Sequence, residues 1–179
     1  MSFLPGKETI SNEIMIVCAL AQTAFVSRRN FSALPHLGLL FENRSKQVVI
    51  ESLLSIAIKT RFLDDQTNLL RANERENPLI GRYFEDGIEQ PQVVSIRYAL
   101  NKLVHHKTIA LAIKPWSCFV VDVRSVPLEL GPHIVELGSH SGERVTITVS
   151  GRYEKKEWRF DIDLYKLLEE VLVVLASES

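Results

Sequence analysis

Apolar residues recur at helical spacing up to residue 107 and then give way to short alternating runs, which divides the chain into a helical half and a strand-rich half. Thr9 or Ser11 can cap a first helix whose apolar residues continue to about Val26, with Arg28 and Arg29 suited to its C-terminal end. Ala33 to Leu40 contain Pro35 and Gly38 and are expected to form a turn or a short helix. A second helix is expected from near Ser45, where SKQVVIESLLSIAIKTRFLDDQ sets Val49, Leu53, Ile56 and Leu63 on one side. From Thr67 to Gln90 the text is polar and broken (NERENP, EDGIEQP), as in a long exposed connection with at most a helical turn, where a lid or contact loop would lie.

Pro91 is suited to the first turn of a third helix, PQVVSIRYALNKLVHHK, expected to end near Lys107. At about 100° per residue, Val93, Ile96, Leu100, Leu103 and Val104 share one side and must be buried. After it come TIALAIK, CFVVDV, HIVELG, ERVTITVSG and EWRFDID, short and rich in β-branched and aromatic residues, with Lys-Pro, Gly-Pro, Ser-Gly and Gly-Arg pairs between and within them. They predict an antiparallel meander of four or five strands. In ERVTITVSG, Val145, Ile147 and Val149 alternate with Thr146, Thr148 and Ser150, which fits a sheet with one face buried. The tail DLYKLLEEVLVVLASE returns to helical spacing, capped by Asp161 or Asp163. The expected fold is α+β: one domain over 1–179, with a helical-bundle half (1–107) and strands plus a C-terminal helix (108–179) sharing a core.

Composition changes this picture little. With 179 residues, 46% apolar and 24% charged, the chain has room for one substantial core and the make-up of an ordinary globular protein. The formal net charge of -1 argues against a whole-molecule polyanion binder, so local charge matters more. Gln90 to Val121 holds no Asp or Glu but contains Arg97, Lys102, Lys107 and Lys114; Ile14 to Phe41 is also acid-free and holds Arg28 and Arg29. Cys18 and Cys118 lie in apolar runs, as small buried hydrophobes do, and point to a reducing compartment. The apolar run IMIVCALAQTAFV follows Glu8 and Glu13 where a signal peptide would carry positive charge, and it is too short to span a bilayer. A cytoplasmic protein with no membrane partner is expected.

The third helix carries the candidate chemistry. Arg97, Asn101 and His105 are four residues apart and form a polar stripe beside the apolar one. An arginine at such an edge packs its stem and extends its head toward a cleft, as a phosphate-binding group would. Lys102 and Arg61 are expected to add substrate-binding charge. In KTRFLDDQ, Arg61 and Asp65 are spaced to pair, and two readings are open: one of Asp64 and Asp65 orients His105, or the cluster is a solvated helix end whose acids oppose the macrodipole and invite a compensating partner. His106 points about 100° further around and is the weaker candidate. His105 and His106, being adjacent, lack the spacing of paired metal ligands; His36, His133 and His140 have no Cys or carboxylate at metal-ligand spacing. No Gly-rich phosphate loop, nucleophile elbow or dinucleotide fingerprint is present, so no metal and no cofactor is called for. Trp116 and Trp158 are expected at sheet edges; Trp158 beside Lys155, Lys156 and Arg159 has the alternative of a stacking platform for bases.

The stretch RYALNKLVHH resembles the signature region of the HEPN superfamily of helical-bundle nucleotide-binding and ribonuclease proteins, which carry an arginine, usually a polar residue after it, and a histidine four to six intervening residues later on a late helix. Here seven residues separate Arg97 from His105 and Tyr98 follows the arginine; in a frame set on Asn101, Lys102 and His105, Leu100 stands at the arginine's position. The resemblance implies a homodimeric, metal-independent endoribonuclease of a toxin–antitoxin or anti-phage defence system. In that role Arg97 holds phosphate, Asn101 positions the substrate or the histidine, and His105 exchanges protons. Self-cleavage of RNA through its 2′-hydroxyl needs such a base and a fixed positive charge but no metal. The alternatives are a non-catalytic module that contacts a protein partner through the same helix edge, and a small-nucleotide sensor without chemistry.

Overall fold

Buried side chains on the first helix fall on Ile10, Ile14, Val17 and Ala21, a stripe that advances by four, three and four residues. It packs on an equivalent stripe of the second, Val49, Leu53, Ile56, Ala57 and Leu63. These elements are α1 (Lys7–Asn30) and α2 (Pro35–Thr67) of a computed structural model that describes residues 6–30, 33–72, 80–90, 95–122 and 136–177, with the backbone alone for 23–30, 113–122 and 136–144. The two helices are antiparallel, since Glu13 near the start of α1 accepts from Ser55 (3.1 Å) and pairs with Lys59 in the second half of α2.

Both helices are longer than their sequence signals. Thr9 and Ser11 lie inside α1 rather than at its cap, and the Ser11 hydroxyl donates back to the Lys7 carbonyl at 3.0 Å. Residues 35–40, expected as a turn or short helix, belong to α2: Pro35 takes a first-turn position, where its missing N–H costs nothing, and Gly38 is a buried helical residue. At the other end Asn68 adopts a left-handed conformation (φ 59°) and its N–H caps the Asp64 carbonyl at 2.7 Å. The chain turns at once into the four-residue α3 (Leu69–Ala72).

The stretch expected as an exposed connection contains a hairpin, β1 (Gly81–Glu85) and β2 (Ile88–Gln90). Its turn is Asp86-Gly87, both at positive φ (49° and 83°), the two-residue geometry whose twist matches that of paired strands. The helix α4 (Ile96–Val104) follows; Pro91 and Val93 lie outside the described residues, and the helix starts at Ile96 behind a Ser95 cap.

The last three strands are β3 (Thr108–Asp122), β4 (Glu136–Tyr153) and β5 (Lys156–Asp163). β3 merges TIALAIK with CFVVD, and β4 contains ERVTITVSG together with the end of HIVELG. Lys114-Pro115 does not break β3, because β3 is an edge strand where a missing ladder donor is tolerated. The five strands form one antiparallel sheet ordered β2-β1-β5-β4-β3. β4 pairs with β3 from Glu136 to Ser150 but with β5 only from Thr146 onward, so the β3–β4 ribbon runs past the rest of the sheet.

One face of the sheet is buried through Val145, Ile147, Val149, Trp158, Phe160 and Ile162. Asp163 ends β5 and caps α5 (Leu164–Ala176), its side chain accepting from the Lys166 N–H at 3.2 Å. The inward residues of α1, α2, α4, α5 and the sheet form one hydrophobic cluster, so the α+β fold closes around a shared core. Among the described residues no helix is long and apolar enough to cross a membrane.

Candidate functional site

The apolar face of α4 is buried through Ile96, Ala99, Leu100 and Leu103, with Val104 partly covered. Ser95 starts the helix by accepting the Tyr98 N–H on its hydroxyl at 3.2 Å. With that face fixed against the core, Arg97, Tyr98, Asn101, Lys102 and His105 are turned toward two adjoining cavities.

Arg97 is anchored by an acid that helix geometry alone would leave in solvent. Asp64, in the last turn of α2, is 1% exposed; one carboxylate oxygen accepts Arg97 Nε at 2.8 Å and the other accepts the Leu70 N–H at 2.8 Å. The acid that opposed the helix macrodipole thus finds its compensating cation on another helix and also caps α3. Asp64 does not orient His105, and it is buried rather than solvated, but the compensating partner that the second reading called for is present as Arg97. Asp65 is exposed, 3.9 Å from Arg97 and 4.0 Å from Arg61, so the Arg61–Asp65 pair forms as its spacing predicts.

The first cavity, about 410 Å³, is lined by Arg61, Arg71, Ser95, Arg97, Tyr98 and Asn101. Arg61 donates to Asn101 Oδ1 at 2.7 Å, which directs the amide NH2 of Asn101 elsewhere. Its buried Nε has no partner among the described residues. Arg71 is exposed and has no ion pair among them. Three guanidinium groups therefore converge on one opening, with Asp65 as the exposed acid beside them.

The second cavity, about 500 Å³, lies on the other side of Tyr98 and Asn101, which line both. The Lys102 ammonium occupies an aromatic enclosure, 4.2 Å from the ring centroid of Trp158, 5.1 Å from Tyr83 and 5.2 Å from Tyr98. Tyr83 and Tyr98 meet edge to face at 5.6 Å, and each also contacts Phe160. Burial first, then the neighbouring Tyr98 and Glu85, push the Tyr83 hydroxyl well above its ordinary value, so it stays a neutral phenol, 3.2 Å from Glu85 and 3.5 Å from Lys102. Trp158 can lie flat under this site because residue 151, opposite it across the sheet, is glycine: a Cβ there would come within 2.4 Å of the Trp158 ring.

A third cavity of about 370 Å³ lies on the opposite face of the sheet, where Phe84, Ser150 and Arg159 project, and is also lined by Lys107 and Glu157. Arg159 lies over Phe84 at 4.2 Å and pairs with Asp161 at 3.5 Å.

Of the residues singled out in sequence, Arg61, Arg97 and Asn101 meet in the first cavity, and Asn101, Lys102 and His105 in the second. Arg97 and His105 do not share a cavity; His105 is exposed at the C-cap of α4, about 12 Å from Arg97 along the axis. His106 is turned away, its Nδ1 2.6 Å from the Leu103 carbonyl. Trp158 sits on the central strand rather than at a sheet edge, while the side chains of Trp116, Cys118 and His140, and all of His133, lie outside the described residues. Cys18 is partly buried against the core, and burial raises its thiol above the ordinary value. Among the described residues no three His, Cys, Asp or Glu side chains cluster as metal ligands would. Sequence reasoning missed Arg71, Tyr83 and Arg152; Tyr83 was detectable through the Asp86-Gly87 hairpin signal, and Arg71 had no signal at all. Comparisons of the chain with known protein families, curated proteins and solved structures return no match.

Proposed function

We propose that the polar face of α4 binds RNA or a nucleotide through its phosphate, as its HEPN-like stretch suggests. The observation that carries this reading is the convergence of Arg61, Arg71 and Arg97 with Asn101 around one cavity beside an aromatic-lined one. Planar guanidinium groups match phosphate oxygens in pairs, and Arg71 is exposed at the opening with no ion pair among the described residues. Geometry supports binding more than cleavage: Arg97 is held by Asp64, and His105 faces the neighbouring cavity rather than the arginines.

The test is fluorescence anisotropy of an unstructured labelled RNA, with a parallel incubation in EDTA. The native protein is expected to bind in a salt-dependent manner and leave the RNA intact, and Arg71→Gln to weaken binding about tenfold. Absence of binding at low salt would remove the reading. RNA cut in EDTA by the native protein but not by His105→Ala would instead establish a metal-independent ribonuclease.

A further inference from the structure

Strand pairing divides the sheet into two faces. Tyr83, Trp158 and Phe160 point toward the helices, and the residues that alternate with them or pair with those, Phe84, Arg159, Ser150 and Thr108, point the other way. On that outer face lies the third cavity, whose cations are Lys107, Arg152 and Arg159. Arg159 is set in place: its guanidinium lies 4.2 Å from the Phe84 ring centroid and 3.5 Å from Asp161, which itself accepts from the Thr148 hydroxyl at 2.8 Å. Lys107 is fixed where β3 begins, because its backbone N–H donates to the Ser150 carbonyl at 2.7 Å. Neither its ammonium nor the Arg152 guanidinium has an ion pair among the described residues, although Glu157 stands opposite Arg152 on the neighbouring strand and lines the same cavity.

The cavity also holds two hydroxyls, Thr108 and Ser150, paired across β3 and β4 at 2.6 Å. One proton serves the bond between them, so the other is left to donate outward. Three cations against one lining carboxylate, with Asp161 already shared with Arg159, leave the cavity positive. Two guanidinium groups, one ammonium and one hydroxyl, arriving from β4, β5 and the start of β3, offer donors in more than one plane. Such an array suits the tetrahedral oxygens of a phosphate better than a flat carboxylate, which a single guanidinium fork satisfies. At about 370 Å³ the cavity has room beyond the phosphate for a small substituent. We infer that the outer face of the sheet carries a phosphate site of its own, for free phosphate or a small phosphate monoester, held by Lys107, Arg152, Arg159 and the Thr108–Ser150 pair. It is independent of the reading given to α4, because Tyr98 of that helix meets Tyr83 on the opposite face of the sheet from Arg159.

The test records amide NMR spectra of the full chain at neutral pH during titration with inorganic phosphate and, in a second series, with glycerol phosphate, each against sodium chloride of equal ionic strength. Both phosphates are expected to shift Lys107, Thr108, Ser150 and Arg159 saturably where chloride does not. Tighter binding of glycerol phosphate identifies a monoester as the ligand, and tighter binding of inorganic phosphate the free ion. Lys107→Gln and Arg159→Gln should each weaken the binding read at the remaining outer-face resonances about tenfold, whereas Arg71→Gln should leave it unchanged. Both substituted side chains are exposed, and circular dichroism verifies the fold of each variant. If chloride produces the same shifts, or neither substitution weakens them, the outer-face site is wrong. If phosphate shifts only Arg71, Asn101 and their neighbours, and does so no longer in Arg71→Gln, the outer-face site fails while phosphate binding at α4 stands.

Discussion

Arg97 and Lys102 lie five residues apart on one short helix, and the molecule immobilises them by opposite means. Arg97 is gripped by a buried carboxylate at 2.8 Å, whereas Lys102 is held among three aromatic faces with no ion pair among the described residues. A cation neutralised by a carboxylate has already given up much of its field; one held by ring quadrupoles keeps its full charge for an approaching anion. The first arrangement fixes architecture, tying α4 to the end of α2 and to α3. The second holds a charge in readiness. Arg97, expected as a phosphate ligand, is thus the more structural of the two, and on the proposed function the electrostatic role falls to Arg61, Arg71 and Lys102.

The comparison breaks most visibly at Asp64. Asp64→Ala leaves Arg97 without its partner and the Leu70 N–H without its acceptor, and should cost about 3 kcal/mol in urea unfolding; a loss below about 1 kcal/mol would mean that the pair is not structural. Gly151→Val forces the Trp158 ring aside and should cost about 2 kcal/mol while disturbing the lysine enclosure, seen as a change in tryptophan fluorescence. Lys102→Met keeps the stem but removes the charge; it should leave stability within about 0.5 kcal/mol and weaken RNA binding by roughly 1 kcal/mol, about fivefold. An effect on stability alone would assign Lys102 to packing.

The smallest effect is on pH dependence. Tyr83 is raised above its ordinary value of 10.0 in the folded protein, so folding favours the protonated phenol; this contribution is complete below that pH and is lost as pH rises above it. Stability should fall on the alkaline side, less steeply in Tyr83→Phe, with a remaining slope from Tyr165, which burial also raises.

The helices and their inward faces were legible because their periodicity is local: Val49, Leu53, Ile56 and Leu63 are spaced for one face whatever they pack against. The β1–β2 hairpin was not, since Ile88 is exposed and the strand on the other side of β1 is β5, far along the chain; the Asp86-Gly87 turn was its one local sign. Pro35 and Gly38 signalled a break in general terms, yet a first-turn proline permits a helix and one buried glycine does not end it. In the site, the stripe Arg97, Asn101 and His105 was readable from spacing. That Asp64 would take Arg97, and that Tyr83 and Trp158 would enclose Lys102, depends on contacts between distant segments that no periodicity encodes.

The claim that this face receives the phosphate backbone is tested most directly by mapping amide and Asn side-chain NMR resonances while an oligouridylate is added. Perturbations are expected at Arg71, Asn101, Lys102 and Arg152. Perturbations confined to the outer faces of α1 and α2, with Asn101 and Lys102 unmoved, would contradict it.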